Sequence, residues 1–190
     1  MAMTESDPSR SQSHQTKDGT LVSLRPASEG DAEAIARFAQ SVQADGEGVV
    51  GLPDEGSFAT DARREWIADH QEVEGWLALL AELDGAIVGL ATFEAGRMAR
   101  LRHQGELGLW VAPDLRSKGI GTVLLSEVVG WARGEGIERV ALTVVSTAER
   151  AIGLYRKFGF VEEGRRVREV KLGPGEYADQ LQMALFVEPA

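Results

Sequence analysis

The chain has 190 residues, 43% hydrophobic and 26% charged, proportions that suit one globular domain with a single well-buried core. It contains no cysteine, which excludes a disulfide framework, a thiolate zinc site and any cysteine nucleophile or acyl-cysteine intermediate. A formal net charge of −10 opposes nonspecific nucleic-acid binding, which needs a basic face, and suits a cationic amine slightly better than an anion.

The first residues, "MAMTESDPSRSQSHQTKDG", are polar and lack the apolar centre of a signal peptide, and no later apolar run approaches the roughly 18 residues that span a bilayer. Residues 1–18 are therefore expected to be a disordered tail, residues 19–190 one domain, and the location cytoplasmic, with no membrane partner.

"TLVSLRPA" (Thr20 to Ala27) alternates apolar and polar residues and predicts a first strand that stops at Pro26. Asp31 can cap a helix in which Ala34, Ile35, Phe38, Ala39 and Val42 share a face. Asp45 to Ser57 holds four glycines and a proline and predicts a loop long enough to act as a substrate lid or simply to move. A second helix is expected over Phe58 to His70. Trp76 to Ala95 then reads as a hairpin about an Asp84-Gly85 turn, followed by a basic connection, Arg97 to Gln104.

Gly105 to Ala112 is another strand, whose two glycines suggest a bulge. From Ile120, the residues Val123, Leu124, Val128 and Trp131 form a helical face that ends at Gly134 and Gly136. The β-branched run Arg139 to Ser146 is a buried strand, and strand–helix–strand at this spacing predicts a parallel pair with a right-handed crossover. A short helix carrying Ala148, Ala151, Ile152, Tyr155 and Phe158 on one face closes at Gly159. Two final strands flank the Gly173-Pro174-Gly175 turn.

Between the Gly105 strand and the Ile120 helix lies "RSKGIG", Arg116 to Gly121. A helix start offers unpaired N–H groups and the positive end of its dipole, and glycine lets an oxygen-rich anion approach the main chain. Arg116 and Lys118 add positive charge, so the segment suits a pyrophosphate. It is not a P-loop, because G-x-x-x-x-G-K-[ST] is absent. It is not a dinucleotide fingerprint either, because Leu124 stands at the third glycine and Val145-Ser146 ends the next strand with no acidic residue.

Arg116-x-x-Gly119-x-Gly121 resembles the R/Q-x-x-G-x-G/A signature of the GNAT superfamily of N-acetyltransferases, and "AIGLYRKFGF" (Ala151 to Phe160) resembles its second hallmark, in the same order. The resemblance spans about residues 20–187, and the closing "EGRRVREVKLGPGEYADQLQM" is similar to a subgroup acting on small amines and amino-acid-like compounds. It implies an α/β (α+β) fold: a mixed, mostly antiparallel sheet of about seven strands flanked by helices. In it, a splayed parallel pair, near 105–112 and 139–145, forms the cofactor cleft.

The cofactor so implied is acetyl-CoA, its pantetheine arm on the strand edge at Leu109, Trp110 and Val111. Its pyrophosphate would rest on the amides of Arg116, Ser117, Lys118, Gly119, Ile120, Gly121 and Thr122. Tyr155 is implied as proton donor to the departing thiolate, against the alternative of one more aromatic on an apolar stripe; the only other tyrosine is Tyr177. Glu106, or water, would take the proton of the incoming ammonium. A main-chain N–H of Trp110 or Val111 would meet the oxyanion of the tetrahedral intermediate. Tyr177 and Asp179 are candidates for the acceptor pocket. Ala148 stands where the family usually carries an asparagine that contacts the cofactor. His14, His70 and His103 show no ligand spacing, and no metal is expected.

The implied activity is transfer of an acetyl group from acetyl-CoA to a small-molecule amine, or a peptide amine, in a direct ternary complex. A non-catalytic acyl-CoA sensor and, more remotely, a nucleotide-dependent oxidoreductase are the alternatives. A homodimer through the final strands is also expected from the resemblance.

Overall fold

The computed structural model describes residues 12–46 and 60–188, so most of the Asp45 to Ser57 loop lies outside the described residues. Among the described residues, eight strands form one sheet in the order β1-β2-β3-β4-β5-β6-β8-β7. They are β1 (Gln12–Gln15), β2 (Leu21–Pro26), β3 (Trp76–Leu83), β4 (Ala86–Ala95), β5 (Gln104–Val111), β6 (Arg139–Val145), β7 (Val161–Gly173) and β8 (Glu176–Phe186). The helices are α1 (Ala32–Asp45), α2 (Thr60–Glu72), α3 (Ile120–Gly134) and α4 (Glu149–Lys157).

Of the strand pairs among the described residues, only β5 and β6 run parallel, joined by α3, as the strand–helix–strand spacing predicts. Their pairing covers Gln104↔Arg139 to Glu106↔Ala141 and then stops, while β5 continues to Val111 and β6 to Val145. The sheet is thus split from Leu107 onward, and the opening is the cleft. It widens toward the loop between β5 and α3, where ligands of α/β folds gather.

Apolar side chains lie on both faces. Leu107, Ile120, Leu124, Leu125 and Val128 bind α3 to one face, with Ile152, Tyr155 and Phe160 bringing α4 alongside. Ile35, Phe38 and Ile67 of α1 and α2 cover Leu80 and Leu90 on the other. Two covered faces explain why β3 and β4 are apolar almost without interruption.

Three sequence expectations are corrected. Residues 12–18 are not a tail: β1 pairs with β2 through Gln12↔Leu24 to Gln15↔Leu21, adding an eighth strand that is polar in sequence because main-chain bonds hold it. Asp31 precedes α1 but its side chain makes no cap; it accepts from both terminal nitrogens of Arg25 at 2.7 Å and from the Ser28 N–H at 2.8 Å. This partnership holds the Asp31 carboxyl down at about 2, chiefly through the Arg25 hydrogen bonds. Nor do Gly105 and Gly108 make a bulge, since β4 and β5 pair without a shift from Ala95↔Gly105 to Gly89↔Val111. The glycines clear space instead: a Cβ on Gly108 would lie 2.3 Å from the Trp110 ring, and one on Gly105 2.5 Å from Phe93.

Candidate active site

A cavity of about 1140 Å³ occupies the split in the sheet. Its walls bring together Glu106, Leu109, Trp110, Val111, Arg116, Ser117, Lys118, Gly119, Gly121, Thr122, Ala148 and Tyr155, nearly all of the site residues expected from sequence. Three others fall elsewhere. The Ile120 side chain is buried in the core, so only its main chain can serve the loop. Tyr177 lies under the Arg168 guanidinium, 4.2 Å from its ring centre. Asp179 accepts from the Arg168 N–H at 2.8 Å and from Arg165 at 3.2 Å, tying β8 to β7. Neither Tyr177 nor Asp179 lines the cavity; Gln180, one residue on, does.

The 116–121 segment is shaped by its backbone. Ser117 (φ 65°) and Gly119 (φ 95°) both adopt left-handed conformations, and Gly119 directly precedes α3. Alternating handedness of this kind turns successive N–H groups into one concavity, and the α3 dipole adds partial positive charge there. The Gly119 carbonyl accepts from Thr122 and Val123, starting the helix and leaving the N–H groups before them without helical partners. Arg116 is less mobile than its sequence context suggests, because it is paired with Asp45 at the end of α1. Lys118 is exposed.

The strand edge facing the opening can be read from the flanking bonds. The Gln104 carbonyl and the Ala112 N–H are bonded to Gly96 and Val88, toward β4, whereas the His103 carbonyl accepts from Glu138 and Arg139, toward β6. With no shift between them, even-numbered residues of β5 turn their main chain to β4 and odd-numbered ones to the cleft. Leu109 and Val111 therefore offer N–H and C=O groups to the opening. The Trp110 N–H is turned away, which corrects its candidacy as an oxyanion donor.

Tyr155 enters from α4, buried to 6% exposure, its ring 5.5 Å from that of Phe160. Burial pushes its phenol up to about 12, so the hydroxyl is a proton-carrying donor throughout the neutral range. Glu106 stands where β5 and β6 part, on the face of α1 and α2, with Thr92, Glu94, Gly108 and Trp110. One end of the cavity is a main-chain anion cradle. The other is acidic, and a buried phenol lies along the wall.

Sequence reasoning missed Lys17, Asp18, Thr92, Glu94 and Gln180, all of which line the cavity. Lys17 and Asp18 arrive through the β1–β2 turn, where Thr16 lies so close that a Cβ on Gly119 would sit 3.1 Å from its own Cβ. Glu94 arrives through register, directly opposite Glu106. Only the alternation along β4 signalled it.

A split parallel pair with a main-chain anion cradle at its mouth suits an elongated ligand with an anionic end, such as an acyl-CoA. The model of the acetyltransferase (GNAT) family matches residues 37–160, so the chain belongs to that family and is an acetyl-CoA-dependent N-acetyltransferase. It is 30% identical to the L-amino acid N-acetyltransferase AaaT of Escherichia coli (strain K12) over 125 residues, 64% of this chain and 73% of that one. Its fold superposes on a GNAT-family acetyltransferase from Streptococcus pneumoniae with a TM-score of 0.83 at 28% identity, covering 87% and 99% of the two chains. A phosphinothricin acetyltransferase from Sinorhizobium meliloti in complex with AcCoA is similar at a TM-score of 0.76 and 25% identity, covering 88% and 89%.

Proposed function

We propose that the protein acetylates the amine of a small, amino-acid-like molecule, taking the acetyl group from acetyl-CoA directly within one ternary complex. The observation that carries this reading is that Tyr155 and Glu106 open onto the same cavity, with the anion cradle at its end. The similarity to an L-amino acid N-acetyltransferase supports the acceptor class.

The cleft residues fit the cofactor. The cradle of 116–122 would hold the diphosphate on N–H groups, and the unpaired edge at Leu109 and Val111 would bond the amides of the pantetheine arm as a third strand would. Ala148 lines the cavity with a methyl group, so that position adds no polar contact. When bound, acetyl-CoA supplies the acetyl group as a thioester. Glu106 removes a proton from the acceptor ammonium, directly or through a water, which frees the nitrogen lone pair. The Val111 N–H, fixed in the strand and facing the cleft, would be a hydrogen-bond donor for the thioester carbonyl oxygen. Tyr155 would give its proton to the sulfur as the carbon–sulfur bond breaks, and the second proton shed by the nitrogen as the amide forms would restore the phenol; burial keeps the phenol protonated beforehand. The absence of cysteine removes the commonest acyl-enzyme route and favours direct transfer.

The test is thiol release from acetyl-CoA with a panel of L-amino acids and simple amines. Turnover on amino acids, with intersecting initial-rate lines when both substrates are varied, is the expected result. Binding of acetyl-CoA with no turnover on any acceptor would contradict it and return the sensor reading.

A further inference from the structure

Glu94 and Glu106 face each other across the β4–β5 ladder, both exposed to the cavity. Two like charges so placed are destabilising, and paired carboxylates commonly resolve the conflict by retaining one proton between them. A base in such a pair is partly disarmed. Behind Glu94 lies His70, its side chain 1% exposed and its Nε2 3.2 Å from Glu94 Oε1, within ion-pair distance but off the geometry of a hydrogen bond.

The other ring nitrogen fixes the assignment. His70 Nδ1 is 2.8 Å from the Trp66 carbonyl oxygen, which can only accept, so Nδ1 carries a hydrogen. A neutral ring would then aim the Nε2 lone pair at a carboxylate oxygen. A second proton, on Nε2, converts that repulsion into attraction. The ring lies against the indoles of Trp66 and Trp76, with centroids at 4.2 and 5.0 Å.

We propose that His70 is a positioning residue that balances the charge of Glu94 from behind, leaving Glu106 as the uncompensated carboxylate of the pair to receive the acceptor's proton. With the His70–Glu94 pair neutral as a unit, the acceptor end presents one negative charge to one ammonium. Other charged groups near this cluster include Arg63, stacked on Trp66, and Arg97, stacked on Trp76. On the far side of Glu106, Arg139 of β6 is paired with Glu163.

This inference rests on Glu106 as the base, and the experiment separates the two. The pH dependence of kcat/KM is measured for the wild type, His70→Phe, Glu94→Gln, the double variant and Glu106→Gln. In His70→Phe the acid limb moves to higher pH by about half a unit, because Glu94 now repels the charged form of Glu106. In His70→Phe/Glu94→Gln it returns to the wild-type position. A limb unmoved in His70→Phe, or moved equally in the double variant, overturns the proposal and leaves the base reading standing. A Glu106→Gln enzyme with wild-type rate and limb overturns the base reading itself. Imidazole 15N spectra of the folded wild type and Glu94→Gln decide the matter if His70→Phe does not fold. Both His70 nitrogens should carry hydrogen in the active wild type and only Nδ1 in Glu94→Gln; an unprotonated Nε2 in the active wild type overturns the proposal.

Discussion

The two ends of the cleft are built from different materials. At the proposed cofactor end the groups on offer are main-chain N–H groups, fixed by two left-handed residues and a helix start within six consecutive positions, 116–121. At the proposed acceptor end they are side chains of β4 and β5, Glu94, Glu106 and Trp110, with His70 of α2 behind Glu94; these are separated by up to 40 positions in the chain and joined by pairing and packing. On the proposed reading, main chain recognises what every reaction of this kind shares. Side chains, individually replaceable, recognise what differs between acceptors.

That contrast predicts how each end fails. The largest effect is expected at the boundary between them. Tyr155→Phe should lower kcat by about 100-fold, with the KM values for both substrates nearly unchanged, because only the proton is lost. Steady-state kinetics check this, and an equal rise in both KM values would point to a packing role instead. On the acceptor side, Gly108→Ala should raise the acceptor KM about tenfold, since the new methyl group displaces the Trp110 ring. Affinity for CoA in that variant should stay within about twofold. A comparable loss for CoA would dissolve the distinction between the ends.

The smallest effect lies outside both. Asp31→Asn should cost about 1–2 kcal/mol in urea unfolding near neutral pH by weakening the bonds to Arg25, which also contacts Glu82 at 2.6 Å. In the wild type the contribution of this lowered carboxyl is fully present above its ordinary 3.8 and is lost as the pH falls through about 2. The variant should lack that part of the acid dependence, with kcat unchanged at neutral pH.

Legibility in the sequence followed the same division. The "RSKGIG" corner and "AIGLYRKFGF" are contiguous, so their geometry is local and their spacing alone places them; the Asp84-Gly85 turn, with φ of 52° and 78°, is local in the same way. Glu106 was visible because it shares β5 with the cofactor edge. Glu94 and His70 were not, because only the β4–β5 register and the packing of α2 bring them to it. Tyr177 and Asp179 misled for a related reason: their chemistry suits a pocket, yet partners on β7, Arg168 and Arg165, hold them outside it. The polar strand β1 escaped notice because main-chain pairing leaves no mark on hydrophobic alternation.

The central claim is that the main chain around Gly119 grips the diphosphate of coenzyme A. Calorimetric titration of the wild type and Gly119→Val with CoA, and with pantetheine, which lacks the diphosphate, tests it most directly. A β-branched residue is strained at φ 95° and crowds Thr16, so the cradle must distort. The account predicts a loss of CoA affinity of about 100-fold in the variant with pantetheine binding unaltered. Equal losses for the two ligands, or none for CoA, would contradict it.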